Sequence, residues 1–422
     1  MSRVNPDPIL PRSPDGDPDH DLGGVSWTAI QQAAERLLPV LRPTPTRLAD
    51  ALGRVLGRAV YLKPEHLQRA GSFKIRGAYN RIAQLPVGVP VVAASAGNHA
   101  QGVALASSLT GHPATIFMPQ GASLPKVRAT QDYGATVEMG GDSIDDCFGR
   151  AQAFADQHGA VFVPPFDDRD VIAGQATLGL ELVAELGTAS PVVLVPVGGG
   201  GLLAGVALAL RRLRPDVRIV GVEANGAAAM RASLDAGRRI TLDSVTTMAD
   251  GIALRSPGER TLAITKALVD DVITVTEDEI SQAVLLLLER AKAVVEPSGA
   301  VGIAAVLGGK VPGTGPICAV LSGGNVDPLL LTQIIGHGLS ASGRFLRLRV
   351  VFSDRPGSLA ALTASVARLG LNVIDVEHHR TGVRLSVFDV EVLLTVETRN
   401  PDHRDQMVRV LTDEGFRVEL LS

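Results

Sequence analysis

A lysine held away from water can do chemistry that solvated lysines cannot. The run Gly71-Ser72-Phe73-Lys74-Ile75-Arg76-Gly77-Ala78-Tyr79-Asn80 places one directly after an aromatic residue in a turn of small residues. Burial disfavours the ammonium, and only the neutral amine forms a Schiff base with a carbonyl. Alone, the segment also reads as one solvated lysine among many. A second signature is Gly198-Gly199-Gly200-Gly201-Leu202, between the apolar run Val192 to Val197 and the helical Leu203 to Leu210. Glycines there let successive backbone N–H groups turn toward a phosphate at the helix N-terminus. Gly199-x-Gly201-x-x-Ala204 also fits the dinucleotide fingerprint, with Glu223 ending the next apolar run, so a nucleotide phosphate would suit the same turn. Two more turns, Ser95-Ala96-Gly97-Asn98-His99 and Ser322-Gly323-Gly324-Asn325, follow apolar runs ending at Ala94 and Leu321. Open α/β sheets bind their ligands at such strand ends. Each turn alone is an ordinary polar connection; four ligand-like loops in one domain point to one site.

The elements that must hold these residues follow from periodicity. Val89 to Ala94, Ala114 to Met118, Val192 to Val197, Arg218 to Val222 and Ile317 to Leu321 alternate with longer helical stretches. That pattern predicts an α/β fold with open, mostly parallel sheets whose strands are buried on both faces. Ser26 is the expected N-cap of a helix through about Leu38, and residues 1–24, rich in Pro, Asp and Gly, are expected to form a disordered tail. Gly336, Gly338, Ser340, Ser342 and Gly343 suggest a linker over 336–343, closing a domain of residues 25–335. Beyond it, Leu346, Leu348, Val350 and Phe352 alternate as a half-buried strand, and Ser358 is the expected cap of a helix lined by Leu359, Leu362, Val366 and Leu369. Strands at Leu371 to Glu377 and Phe388 to Val396, a helix near Asp402 to Thr412 and a strand Phe416 to Leu420 complete it. Residues 344–422 thus read β-α-β-β-α-β, a ferredoxin-like α+β unit.

In their order these segments resemble the threonine dehydratase (threonine ammonia-lyase) group of pyridoxal-phosphate enzymes of the second fold type, over about residues 26 to 335. The matching blocks are Ser72 to Asn80, Ala94 to Gly102, Pro196 to Leu202 and Ser322 to Asn325, with Ala249 to Ala253 and Glu296 to Gly299 as lesser ones. The resemblance implies two α/β lobes and pyridoxal 5'-phosphate as cofactor. It makes Lys74 the Schiff-base lysine, lays Phe73 against the pyridine ring and pairs Asn98 with the phenolic oxygen. Gly198, Gly199, Gly200, Gly201 and Leu202 would cradle the phosphate, and Ser322 would meet the ring nitrogen. Backbone N–H groups of Ser95, Ala96, Gly97, Asn98 and His99 would hold the carboxylate of a small amino-acid substrate. Lys74, displaced by the substrate amine, would take the α-proton, and expulsion of the β-hydroxyl would yield a 2-oxo acid and ammonia from L-threonine and L-serine. Serine racemases are similar but carry a serine where this chain has Ala96, and their cation site expects an acid near Ala227-Ala228-Ala229, so Glu223 is expected to be a strand-end residue. The same loops leave room for a 3-hydroxyaspartate ammonia-lyase or, from a different class, a nucleotide- or amino-acid-binding regulatory protein. The C-terminal unit resembles an ACT domain, through Asp354-Arg355-Pro356-Gly357 and Asn372. That implies regulation by an amino acid such as isoleucine or valine, and a homo-oligomer, dimer or tetramer.

Composition narrows the remaining classes. The 422 residues carry 40 Lys plus Arg against 44 Asp plus Glu, a net charge of −4, and 3% aromatics, so neither a basic field nor stacking platforms for nucleic acid are expected. Cys147 and Cys318 are too few for a disulfide framework or a cysteine zinc site, pointing to a reducing cytoplasm. Thr188 to Leu210 is uncharged and long enough to span a bilayer, but Pro191, Pro196 and the glycine run break it into strand, turn and buried helix. No membrane partner and no export signal are expected. His99, His337, His378 and His379 lack metal-ligand spacing.

Overall fold

Uninterrupted apolar runs such as Val91–Ala94 have no polar face to offer water, and each is covered on both sides. The protein is described by a computed structural model covering residues 21–341, 344–380 and 385–421, so most of the expected tail and Ser342 and Gly343 of the expected linker lie outside the described residues. The chain divides into two units between Pro328 and Leu329.

The first unit is built on two sheets. The larger orders its strands Arg47–Leu48, Val60–Lys63, Ile317–Val320, Val192–Pro196, Ile219–Ala224 and Asp271–Val275, parallel except for the first. The smaller orders Thr136–Met139, Ala114–Met118, Val91–Ala94 and Val161–Phe162, all parallel. This is the expected α/β architecture, and the uncharged stretch resolves as foreseen into the strand Val192–Pro196, the glycine turn and the helix Gly201–Leu213. Helix starts are written in the sequence: Ser26 accepts the Ala29 N–H ahead of helix Trp27–Leu37, and Ser143 and Thr276 form capping boxes.

The helix that begins at the reactive lysine, Lys74–Ile82, is fixed in two ways. It lies directly against helix Arg169–Leu186, where a Cβ on Gly174 would stand 2.5 Å from the Arg76 carbonyl oxygen. Arg76, fully buried, forks onto two carboxylates: Glu65 at 2.8 Å through Nε and Nη2, and Glu181 at 2.6 and 2.9 Å through Nη1 and Nη2. Lys63, also fully buried, joins Glu181 at 2.6 Å and Glu185 at 2.9 Å. Planar bidentate pairing of this kind fixes orientation as well as charge.

The second unit has strands Phe345–Ser353, Asn372–His379, Asp389–Glu397 and Arg417–Leu420, with helices Ser358–Arg368 and Pro401–Asp413. The sheet runs second, third, first, fourth, antiparallel throughout, which is the ferredoxin-like order. Its core is the alternating set expected, with Leu348, Val350, Leu362, Val366, Val392 and Leu394 buried.

Three expectations are corrected. Residues 21–24 are not tail: Leu22 bridges Val25, which is 2% exposed, so this segment is structured ahead of the first helix. Gly336, Gly338 and Ser340 lie inside a helix, Pro328–Ala341, and the second unit begins at Leu329. The apolar residues around them, with Ile334 buried, outweigh the low helix propensity of glycine. The cap at the start of Ser358–Arg368 is Gly357, with φ 89°, and Ser358 is the first helical residue. Among the described residues no helix is long and apolar enough to cross a membrane.

Candidate active site

The lysine turn is built against the turn that ends the central strand. Gly71 (φ 68°) and Ala70 (φ 58°) are left-handed, turning the chain back. Phe73 N–H donates to the Ser322 carbonyl at 3.1 Å, Gly324 N–H to Gly71 at 2.9 Å, and Ser72 bridges Gly323. Two segments from opposite ends of the unit's sequence therefore form one platform.

Lys74 rises from it. Its Nζ donates to the Pro165 carbonyl at 2.8 Å and lies 5.2 Å from the Phe73 ring centroid. What surface it keeps faces the two cavities it lines. Burial lowers its pKa from the usual lysine range to about 8, opposed by the negative charge of Glu296. A substantial neutral fraction therefore exists near physiological pH.

The first cavity joins Phe73, Lys74, Asn98 and Ser322 to the turn Gly198–Leu202. Gly200 has φ 91°, a conformation that suits glycine, and helix Gly201–Leu213 starts at once, leaving first-turn N–H groups without intrahelical acceptors. A Cβ on Gly199 would strike the Phe166 ring at 2.3 Å. Ser298, 1% exposed, also lines this cavity, and its Oγ has no protein partner. An anion seat, an amine, an aromatic face and two hydroxyls around one cavity fit a flat heteroaromatic aldehyde bearing a phosphate.

The second cavity, about 220 Å³, adjoins Lys74 and is walled by Ser95 to His99 on one side and Ile144, Phe148 and Leu254 on another. The helix Asn98–Thr110 starts there, so its positive end lies at this cavity and suits an anionic group. His99 is otherwise engaged: burial, reinforced by Lys74, holds it down to about 3, and as a neutral ring its Nε2–H donates to Val163 O at 2.9 Å.

The structure thus brings together Phe73, Lys74, Asn98, Gly198, Gly199, Gly200, Gly201, Leu202 and Ser322 in one cavity, and Ser95 to His99 in its neighbour. Sequence reasoning gave no role to Glu296, which lines both, or to Lys126 and Asp250, which pair at the rim of the second. Asn98 Nδ2 donates to Glu296 Oε1 at 2.6 Å. Burial and the charge of Asp250 push the Glu296 carboxyl up to about 7, against Lys126, Asn98 and Lys74. The blocks Ala249 to Ala253 and Glu296 to Gly299 were the available signal; their contacts were not.

The remaining candidates separate from this site. Glu223 accepts the N–H groups of Met230 and Arg231, each at 2.8 Å, and so caps the following helix Ala229–Ala236, which agrees with a structural reading. Asp354, Arg355, Pro356 and Gly357 form an exposed turn after Ser353, which pairs with Asp389. Asn372 pairs with Glu397 at the other end of the same sheet, about 25 Å away along the strands, so one chain does not unite them. Among the described residues no group of three His, Cys, Asp or Glu side chains could hold a metal ion.

Residues 37–323 match the family described as pyridoxal-phosphate dependent enzyme. The chain is 43% identical over 400 residues to an L-threonine ammonia-lyase of Thermotoga maritima, covering 94% of this chain and all of that one. It is 42% identical over 318 residues to the catabolic L-threonine dehydratase TdcB of Escherichia coli K12, covering 74% of this chain and 96% of the relative. Among solved structures it is similar to the T.th. threonine deaminase (TM-score 0.69, 42% identity, 72% of this chain and 99% of the other). It is also similar to maize serine racemase (TM-score 0.70, 37% identity, 75% and 98%).

Proposed function

The chain belongs to the pyridoxal-phosphate dependent enzymes, and from that premise we propose that it is an L-threonine ammonia-lyase that also accepts L-serine. The glycine turn accordingly serves this cofactor's phosphate, and the dinucleotide reading falls away. The observation that carries the proposal is the buried, readily deprotonated Lys74 amine between an anion seat and a cavity with room for a small amino acid. The names of the relatives that cover most of the chain support the substrate.

Bound pyridoxal 5'-phosphate supplies an electron sink for the charge left at the substrate's α-carbon. Gly198 to Leu202 hold its phosphate through backbone N–H groups, and the Asn98 amide donates to its phenolic oxygen. Ser322 offers the ring nitrogen a hydroxyl, which can share a hydrogen bond but does not carry a proton across as a carboxylic acid would. Charge at the α-carbon is then less stabilised, and departure of the β-hydroxyl is the favoured exit. Of the backbone N–H groups at Ser95 to His99, that of Ser95 already donates to the Phe117 carbonyl at 3.1 Å and that of Gly97 to the Ser95 hydroxyl at 3.1 Å, so those of Ala96, Asn98 and His99 orient the substrate carboxylate, and neutral Lys74, steadied by Pro165 O, takes the α-proton. The unsaturated amine released loses ammonia in water, giving 2-oxobutanoate from threonine and pyruvate from serine. Ala96 offers no second proton-transfer group on the opposite face, which separates this chain from the serine racemase reading.

The C-terminal unit is proposed to be an ACT domain that binds isoleucine or valine and places the enzyme in isoleucine biosynthesis. Its ferredoxin-like sheet order supports the ACT reading. We place the protein in the cytoplasm as a homo-oligomer. Steady-state kinetics with L-threonine, L-serine and 3-hydroxyaspartate test the activity. Threonine should give the highest kcat/KM, and serine should give pyruvate in large excess over D-serine. Preference for 3-hydroxyaspartate, or comparable D-serine, would overturn the reading.

A further inference from the structure

We propose that Glu296 is a positioning residue that locks the Asn98 side-chain amide in the orientation needed at the cofactor's phenolic oxygen, an inference resting on the reading of Asn98 above. The orientation follows from a chain of donors and acceptors. Asn325 Nδ2 lies 2.7 Å from the Ala70 carbonyl, which can only accept, so that atom is a nitrogen. The Asn98 atom 2.9 Å from the same nitrogen must then be its oxygen. Asn98 Nδ2 is thereby turned to Glu296 Oε1 at 2.6 Å. One amide N–H is committed to Glu296 and the carbonyl to Asn325, which leaves a single N–H for a ligand in the cavities Asn98 lines.

Asn98 opens a helix beside the smaller sheet, whereas Glu296 precedes the helix Pro297–Leu307, which packs on the larger one. The bond therefore ties two layers that no strand pairing connects. Glu296 is itself anchored, since its N–H donates to the Gly323 carbonyl at 3.1 Å. There is no slack beside it: a Cβ on Gly323 would stand 2.4 Å from Glu296 Oε1 and 2.9 Å from Asn98 Nδ2. The charged groups facing this carboxyl are Asp250, Lys126 and Lys74. Protonation as pH falls through about 7 weakens it as an acceptor, so the lock loosens on the acid side.

The experiment compares absorption spectra and pyridoxal 5'-phosphate affinity of the wild-type holoenzyme with Asn98→Ala, Glu296→Ala, Glu296→Gln and the double alanine variant. Asn98→Ala should move the bound cofactor's near-violet band toward the near-ultraviolet. Glu296→Ala should move it the same way and raise the cofactor Kd about tenfold, the cost of an unpaired buried amide. The double variant should match Asn98→Ala alone, because Glu296 acts through that amide. Glu296→Gln, whose amide oxygen still accepts, should keep the wild-type band while losing its pH dependence near neutrality. Should Asn98→Ala shift the band while Glu296→Ala leaves band and Kd unchanged, the positioning role is wrong and the reading of Asn98 stands. No shift in Asn98→Ala removes that reading and the proposal with it. Circular dichroism of the cofactor-free forms identifies a variant that has not folded, in which case Glu296→Gln decides through its pH profile, and a wild-type profile there refutes the proposal.

Discussion

Lys74 has its amine against the Pro165 carbonyl, and burial brings its proton affinity down from the ordinary lysine range to about 8. An unfolded chain keeps the same lysine charged well above that pH. Below about pH 8 both states carry the proton, and the folded state bears the whole penalty of a poorly solvated ammonium. Between there and the ordinary lysine value the unfolded chain binds more protons, so this group's contribution to stability rises with pH. Lys74→Met removes the penalty and keeps the stem. The cofactor-free variant should therefore be more stable than cofactor-free wild type near neutral pH by about 1 to 2 kcal/mol, a figure discounted because the amine faces a water-accessible cavity. Urea unfolding of both proteins at neutral pH and again near the ordinary lysine pKa checks this, since the gap should narrow at the higher pH. A variant less stable at neutral pH, or a gap that does not narrow, would show that burial is not what lowers the pKa.

The helix Lys74–Ile82 inherits its position from Arg76, two residues beyond the reactive amine, through Glu65 and Glu181. Removing one partner of a buried network strands the others, so Arg76→Met should cost about 3 kcal/mol or more. Arg76→Lys should recover little, because an ammonium cannot serve two carboxylates in the fork geometry. Chemical denaturation of the cofactor-free proteins measures both; a loss under about 1 kcal/mol for Arg76→Met would mean that the contacts hold the helix without the charges. Much at this scale was legible beforehand. The β-α alternation, the glycine turn and the Ser26 cap all arise from short stretches whose burial or capping is local. What escaped depends on tertiary contact. Glu65, Arg76 and Glu181 are ordinary charges in the sequence and become a network only when two helices and a short turn meet. Glu296 and Asn98 are 198 residues apart and share no pattern. The glycines at 336 and 338 misled because composition suggested a flexible linker where helix Pro328–Ala341 runs on. The Ser358 cap missed by one residue because Gly357 takes a left-handed conformation that no side chain is needed to stabilise.

For the whole molecule, the proposed effector reading has a sharp geometric condition. Asp354 to Gly357 and Asn372 occupy opposite ends of one sheet, so a site using both needs a second copy of the unit to bring one end against the other. Isoleucine or valine should then lower threonine turnover in the full chain, and a chain ending at Pro328 should keep turnover while losing that response. Activity assays with each amino acid, paired with sedimentation of both proteins, read the outcome. Equal responses in both chains would place the effect at the active site and refute the regulatory role. The catalytic unit carries a different consequence of its layout. Its strand Ile317–Val320 sits between Val60–Lys63 and Val192–Pro196, and the turn that follows completes the platform under Lys74. A ribosome delivers the lysine early and this strand last among the unit's described strands. The emerging polypeptide therefore carries an ordinary, unreactive amine until the central slot is filled, and chemistry is acquired only when the unit's synthesis is nearly complete.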